Sequence, residues 1–356
     1  MIRKFTISRD DTVYEAWPDV ALTPTGKLIC VFSECTHHID RSYTRIVYCE
    51  SHDRGRTWGP KKPLTAGSHG LPYWNCARVQ LLRDGRLAAI VDQIHAKGEG
   101  GGRVCLFFST DEGASWSTPV ETTVRGIVPD RIVELENGRW LLSCHAKDAA
   151  SGYTTQRLWY SDNQGADWEG PVLVAHQPGY NFCEVSILPV EGSTFVAFLR
   201  ENSGMGLPCY KCLSHDNGLT WSEPVQFPLP GCHRPVAGYL QDGRIFITYR
   251  FAQGGAHRHR TINGRRQLVP CAWQNLFAAF TDKDSVSASD YKQAVTRILP
   301  IDFDRSPTDN DTVTPGGCSS PTARFTLSTT LWTTAPSVKS EDMPWIRSSD
   351  NQVGLG

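Results

Sequence analysis

Ionisable side chains recur at matched places in five successive segments of this 356-residue chain. Asp19, Asn75 with Arg78, Asp130 with Arg131, Glu184, and His233 with Arg234 stand at the head of apolar runs. Glu34, Asp92, His145, Arg200 with Glu201, and Arg250 end the runs that follow them. Guanidinium forks match planar carboxylates, and side-chain carboxyls move protons. Several charges gathered inside a fold are costly unless they pair or bind a ligand. The pattern therefore suits recognition of a charged ligand with acid–base chemistry beside it. A ring of internal salt bridges is the alternative use of the same residues.

The elements that would hold these groups are repeats. SHDRGRTW (Ser51–Trp58), STDEGASW (Ser109–Trp116), SDNQGADW (Ser161–Trp168) and SHDNGLTW (Ser214–Trp221) share Ser-x-Asp-x-Gly-x-x-Trp, with Asn163 replacing the aspartate in the third. Asp or Asn caps a turn through its side-chain oxygen, Gly takes the positive φ, and Trp packs back over the hairpin. A second repeat runs in step: TPTGKLICVFSE, LRDGRLAAIVDQ, LENGRWLLSCHAK, VEGSTFVAFLRE and LQDGRIFITYRF each place a glycine turn before an alternating strand. One unit reads strand, turn, strand, loop, strand, Asp-box turn, strand. That is a four-stranded antiparallel blade of roughly 50 residues, the signature of a β-propeller. Five units begin near Asp19, Arg78, Asp130, Glu184 and Arg234.

Composition narrows the function classes. A formal net charge of −1 gives no reason to expect nucleic acid or a membrane surface as partner. No apolar run approaches the roughly 20 residues of a membrane span, and the first residues lack a secretory core, so a cytoplasmic protein is expected. The 12 cysteines lie in strand-like stretches and read as buried free thiols. Cys209 and Cys212 form one isolated CxxC; it, the His37–His38 pair and HRHR at His257–Arg260 read as structure and solvated loops. No metal or cofactor is expected, and the oligomeric state stays open.

Asp-box turns on a propeller resemble the sialidase (neuraminidase) superfamily, over residues from about 10 to 305. The resemblance implies an all-β, six-bladed propeller domain (1–308) and hydrolysis of a terminal acidic sugar from a glycan or glycoside. It implies that the Asp boxes lie on the rim, away from the chemistry. In that superfamily three arginines hold the substrate carboxylate, an Asp is the acid/base, and a Tyr activated by a Glu attacks the anomeric carbon. A phenol needs such a neighbour to become nucleophilic, and it avoids the repulsion a carboxylate nucleophile would meet from an anionic substrate. By this resemblance Glu184 in FCEVSILP is the Glu and Arg200 in FLREN the second arginine. Arg234 in CHRPVAG is the third, with Arg250 in reserve. Asp40, ahead of the third strand of the first unit, is the acid/base. Asp19, Arg78 and His233 join them as substrate-binding positions.

Two departures stand out. Where the superfamily opens its first blade with Arg-Ile-Pro, this chain has Trp17 before Pro18, leaving Arg41, Arg45 or Arg78 to reach in. A propeller that binds sugar without cleaving it is the alternative this suggests. The second departure is the tail, 309–356, rich in Ser, Thr and Pro where a sixth blade is due. Read one base out of frame, codons compatible with Asp311–Arg324 and Phe325–Thr334 permit a turn followed by an alternating Tyr/Val strand. The tail is thus read as a frameshifted remainder of the last blade, to be tested by resequencing the gene, with a natural Ser/Thr-rich disordered tail as the alternative. As written, no tyrosine follows Tyr291. An incomplete ring would expose sheet edges, so weak folding and little turnover are expected.

Overall fold

The computed structural model describes residues 5–38, 40–96, 101–203, 207–253, 257–262, 265–270 and 273–303. They build five four-stranded antiparallel sheets. Blade one is β1 (Tyr14–Leu22), β2 (Leu28–Cys35), β3 (Thr44–Ser51) and β4 (Lys62–Pro63). Blade two is β5 (Tyr73–Leu81), β6 (Leu87–Ile94), β7 (Gly102–Ser109) and β8 (Val120–Arg125). Blade three is β9 (Val133–Glu134), β10 (Trp140–Lys147), β11 (Thr154–Ser161) and β12 (Glu169–Ala175). Blade four is β13 (Phe182–Glu191), β14 (Thr194–Glu201), β15 (Cys209–Ser214) and β16 (Val225–Phe227). Blade five opens with β17 (Cys232–Tyr239) and β18 (Ile245–Gln253). A separate hairpin, β19 (His257–Ile262) and β20 (Arg265–Pro270), intervenes before β21 (Trp273–Thr281) and β22 (Arg297–Asp302) complete that blade.

All five legible repeats are thus blades of the expected strand order. The described residues hold five blades where the sequence leads to six. The position of the sixth and the whole of 309–356 lie outside the described residues. HRHR is a correction: it is the body of β19, paired with β20, and not a loop. The inner strand of blade three is also shorter than DRIVEL suggests. Its ladder covers Val133 and Glu134 only, because Val128 at φ 51° breaks the strand behind the Ile127–His145 bridge.

Period-two alternation gives each blade two apolar faces, and neighbouring blades share them. Ile29 and Val31 meet Ala77 and Ala89; Ile90 and Leu106 meet Leu142 and Trp140; Leu141 and Leu158 meet Ile187 and Ala197; Phe198 and Phe227 meet Ile247 and Tyr249. The rings of Phe198 and Phe227 lie 5.2 Å apart, and both are fully buried. Truncating one to alanine would cost about 3–5 kcal/mol. All ten cysteines among the described residues are buried and free, as expected. Cys209 packs with the blade four–five core and Cys212 with the blade three–four core. An odd spacing on a strand sends two side chains to opposite faces, so this pair cannot share a metal.

Polar ties run from each inner strand to the next. Val79 N donates to Asp19 Oδ2 (3.1 Å), Ile132 N to Gln80 Oε1 (2.7 Å), Ile187 N to Asp130 Oδ2 (2.8 Å) and Ala237 N to Ser186 Oγ (3.0 Å). Gln80 Nε2 also donates back to Ile132 O at 2.9 Å. A further tie lies off the axis: buried Lys211 Nζ donates to the carbonyls of Ser285, Val286 and Ala288 at 3.1, 2.7 and 2.6 Å. It caps the short helix α1 (Lys283–Ser287) between β21 and β22.

Candidate functional site

The inner strands carry a bulge where the register of the first hairpin slips. It falls between Ala16 and Asp19, Trp74 and Ala77, Cys183 and Val185, and His233 and Val236. An extra residue bends the strand and re-aims a side chain. Trp17, Glu184 and Arg234 stand in three of these bulges at φ 50°, 43° and 49°, and Val128, ahead of β9, takes φ 51°, all in the left-handed region. Each such non-glycine residue costs of order 1–3 kcal/mol, which the surrounding packing must offset. Just beyond the bulge the facing residues on the second strands are Ser33, Gln93, His145, Arg200 and Arg250.

Two positions in the repeat alignment move. Glu34 sits one residue after, and Asp92 one residue before, the true equivalents, Ser33 and Gln93, and a one-residue slip turns a side chain to the other face. Glu34 instead joins Arg45 and Lys61, and Lys61 also holds Glu15 at 2.8 Å and Asp10 at 3.0 Å. Arg45 is thereby engaged away from the axis. Asp92 is fully buried and accepts Asn75 Nδ2 (2.8 Å), Cys76 N (2.8 Å) and Val128 N (3.1 Å), fixing the bulge of blade two and the backbone at Val128 ahead of blade three. Burial raises its pKa despite those donors.

Blades four and five bring the charged groups together. Arg200 Nη1 donates to Glu184 Oε2 at 2.6 Å, and Arg200 Nη2 to Asn202 Oδ1 at 2.7 Å. Glu184 N donates to His145 Nδ1 at 3.3 Å, so that nitrogen carries the lone pair. Burial works to raise the Glu184 carboxyl, yet Arg200, Arg250 and Arg234 together hold it far below the usual carboxylate range. Glu184 is thus a charged hydrogen-bond acceptor paired with Arg200. Burial, then Arg200 and Arg250, push His233 well below its ordinary value and keep it neutral. Arg234 is 1% exposed, and its Nε and Nη2 have no hydrogen-bond partner among the described residues.

A second layer lies below the bulges. Arg131 Nη2 and Nε donate to Asp19 at 2.5 and 3.1 Å. That contact joins blade three to blade one and skips blade two, so it crosses the axis. Burial opposes the Asp19 charge, but Arg131 and Arg78 outweigh it and lower its pKa. Arg78 is buried, its Nε has no partner among the described residues, and its pKa falls to about 10 through burial and the nearby Arg234. One internal salt bridge, Arg131–Asp19, thus lies in this lower layer.

Asp40 stands apart. It is exposed, its Oδ1 accepts Ser42 N at 2.9 Å, and hydrogen bonds from Ser42 lower its pKa. Its neighbour Arg41 places its guanidinium 4.2 Å over the Trp17 ring and donates Nη1 to Cys35 Sγ at 2.9 Å. Tyr14 and His38 edge the same indole, and Tyr14 Oη lies 3.2 Å from His38 Nδ1. The tyrosine nearest in sequence to the arginines, Tyr249, is fully buried in the blade four–five core, with burial pushing its phenol up.

The family model for the BNR repeat-like domain matches residues 26–275, most of the chain. The chain belongs to that family. No curated protein matches it in sequence. Among solved structures it is similar to a protein of unknown function from Dyadobacter fermentans (21% identity, 79% of this chain, 94% of that chain, TM-score 0.62). It is similar also to a Hadza microbial sialidase (16%, 82%, 59%, 0.60) and a leech intramolecular trans-sialidase (14%, 85%, 64%, 0.58). At these identities the likeness is one of fold, and the chain spans about three fifths of either sialidase. Membership accounts for the propeller of four-stranded antiparallel BNR blades and gives the sialidase-like resemblance its footing. No helix among the described residues is long and apolar enough to cross a membrane.

Proposed function

We propose that this BNR propeller is a glycoside hydrolase of sialidase type, acting on a terminal acidic sugar. One observation carries the reading: Glu184, held charged at a strained bulge, faces Arg200, Arg234 and Arg250 at one end of the axis. The arginines outnumber the carboxylate there, so the site is built to receive a further negative charge. Arg234 offers buried, unpartnered N–H groups for it. Arg200 orients Glu184 through Nη1, is itself steadied by Asn202 through Nη2, and leaves its buried Nε without a partner among the described residues. Glu184 is then the base that takes a proton from the attacking hydroxyl or phenol. Asp40 protonates the departing glycosidic oxygen as the bond from the anomeric carbon breaks. The full six-bladed ring, the domain limits 1–308 and a frameshifted 309–356 belong to the same proposal.

A panel of aryl glycosides separates the outcomes, with sialosides, uronides, arabinosides and neutral hexosides compared on the full chain and on a frame-corrected chain. Turnover confined to acidic sugars supports the reading; turnover of neutral sugars alone defeats it. Trp17 at the first bulge and the ionised Asp40 favour the second reading, a propeller that binds acidic glycans without cleaving them. In that case the same sugars bind and none is hydrolysed by either chain.

A further inference from the structure

The first and fifth blades use the same backbone device. Trp17-Pro18 and Arg234-Pro235 each form the bulge, with φ of 50° and 49° at the first residue and the register resuming at Asp19 and Val236. One bulge presents a guanidinium and the other an indole. The indole is not bare: Arg41 lies flat against it at 4.2 Å and is steadied by Cys35 Sγ. Trp17, Ala16, Cys35 and Cys76 form one buried cluster. Cys76 comes from blade two, and both Arg234 and Arg41 act on its thiol. Burial pushes that thiol up to about 12, Asp92 adds to the rise, and the two arginines oppose it. Arg41 is thus close enough to the axis to share a neighbour with Arg234. Among the described residues it pairs with no carboxylate.

We propose that Trp17 is a stacking platform that seats Arg41 as the anion-binding group the first bulge itself lacks, so that Arg41 of blade one and Arg234 of blade five close on one substrate carboxylate. A guanidinium stacked on an aromatic face keeps its edge N–H groups free for a carboxylate while its orientation is fixed. The site then needs no arginine in blade one, and the specificity for charge is carried by the residue next to Asp40. The same loop would bring the carboxylate ligand and the acid to the sugar together.

This rests on the acidic-sugar reading above, and the test separates the two. Binding to the full chain is measured by calorimetry for the methyl α-glycoside of N-acetylneuraminic acid, its methyl ester, methyl β-glucuronide and methyl β-glucoside. Arg41→Gln should weaken binding of the acids by about tenfold to a hundredfold and leave the ester and the glucoside unchanged. Arg41→Lys should recover part of the loss, since it restores charge but not the fork. Thermal melting of each variant should match the parent, because Arg41 is half-exposed on a loop. If the parent prefers the acids and Arg41→Gln binds them equally well, the role of Arg41 is overturned while the reading of function stands. If the parent does not distinguish acid from ester, or binds neither acid, the reading and the proposal fall together.

Discussion

The rim and the axis of this propeller use one backbone conformation for opposite ends. At the rim, Arg54, Glu112, Gln164 and Asn217 adopt φ of 55–61°. At the axis, Trp17, Val128, Glu184 and Arg234 adopt φ of 43–51°. At each rim turn the strain is offset within a few residues. Asp53 Oδ1 accepts Ser51 Oγ and Thr57 N at 2.9 Å, Gly55 N donates to Ser51 Oγ at 2.8 Å, and Trp58 Nε1 reaches Gly55 O at 3.1 Å. Their side chains face solvent wholly or in part, so four unlike residues serve equally. At the axis the strained residue is itself the group being aimed, and what holds it comes from other blades, as His145 and Asp92 do. A turn that stabilises itself tolerates any side chain. A bulge held by its neighbours can be given over to chemistry.

The comparison is open to attack from several sides. The largest effect belongs to the axis. On the proposed function, Glu184→Gln should reduce kcat by about 10²–10⁴-fold, read by steady-state hydrolysis, with the fold intact by circular dichroism. The matching rim change, Asp111→Ala, removes the bonds from Ser109, Ser115 N and Ser115 Oγ. It should cost about 1–3 kcal/mol in denaturant unfolding and leave turnover unaltered; a kinetic defect there would break the division of labour.

The third Asp box allows a finer test. Asn163 Nδ2 donates to Asp167 Oδ2 at 2.9 Å, whereas in the other boxes a Thr or Ser hydroxyl donates to the aspartate. Donor and acceptor have changed places. Asn163→Asp alone should set two carboxylates against each other and cost on the order of 1 kcal/mol at neutral pH; adding Asp167→Thr should recover it. If the single change is neutral, the exchange of roles is not what holds the turn.

A milder effect is expected from pH. Asp53 and Asp111 are held down to about 2 from 3.8, chiefly by side-chain bonds from Thr57 and Ser115. A depressed carboxyl contributes stability that is full above its unfolded value and is lost as pH falls through the folded one. Melting temperatures should therefore fall between about pH 4 and 2, and less so in Asp111→Ala. The smallest expected shift is at Asp40. Ser42→Ala removes the hydroxyl bond, which should raise the Asp40 pKa and move the alkaline limb of the rate profile to higher pH.

Much of this was legible in the chain itself. The Asp boxes and glycine turns mark hairpins, because their residue types are demanded by local φ and local hydrogen bonds. The five blades follow from them, and the buried thiols from the apolar strands they bracket; the roles of Glu184 and Arg200 came from the sialidase resemblance alone, and their contact with each other was not legible. The bulges were not legible, since an extra residue leaves no mark on composition. That is why Glu34 and Asp92 were aligned one place from Ser33 and Gln93. The β19–β20 hairpin was hidden because HRHR is polar throughout and lacks the apolar alternation that announces a strand. The seating of Arg41 on Trp17 joins residues on different elements and depends on the fold being known.

The ties between inner strands have a direction. In four of them the accepting side chain lies in the earlier blade and the donating backbone N–H in the later: Asp19 to Val79, Gln80 to Ile132, Asp130 to Ile187, Ser186 to Ala237; only the return bond from Gln80 Nε2 to Ile132 O runs the other way. A chain made from its N-terminus folds its first parts first. Each blade leaving the ribosome would find its acceptor already in place, so synthesis itself sets the order in which the ring is wound.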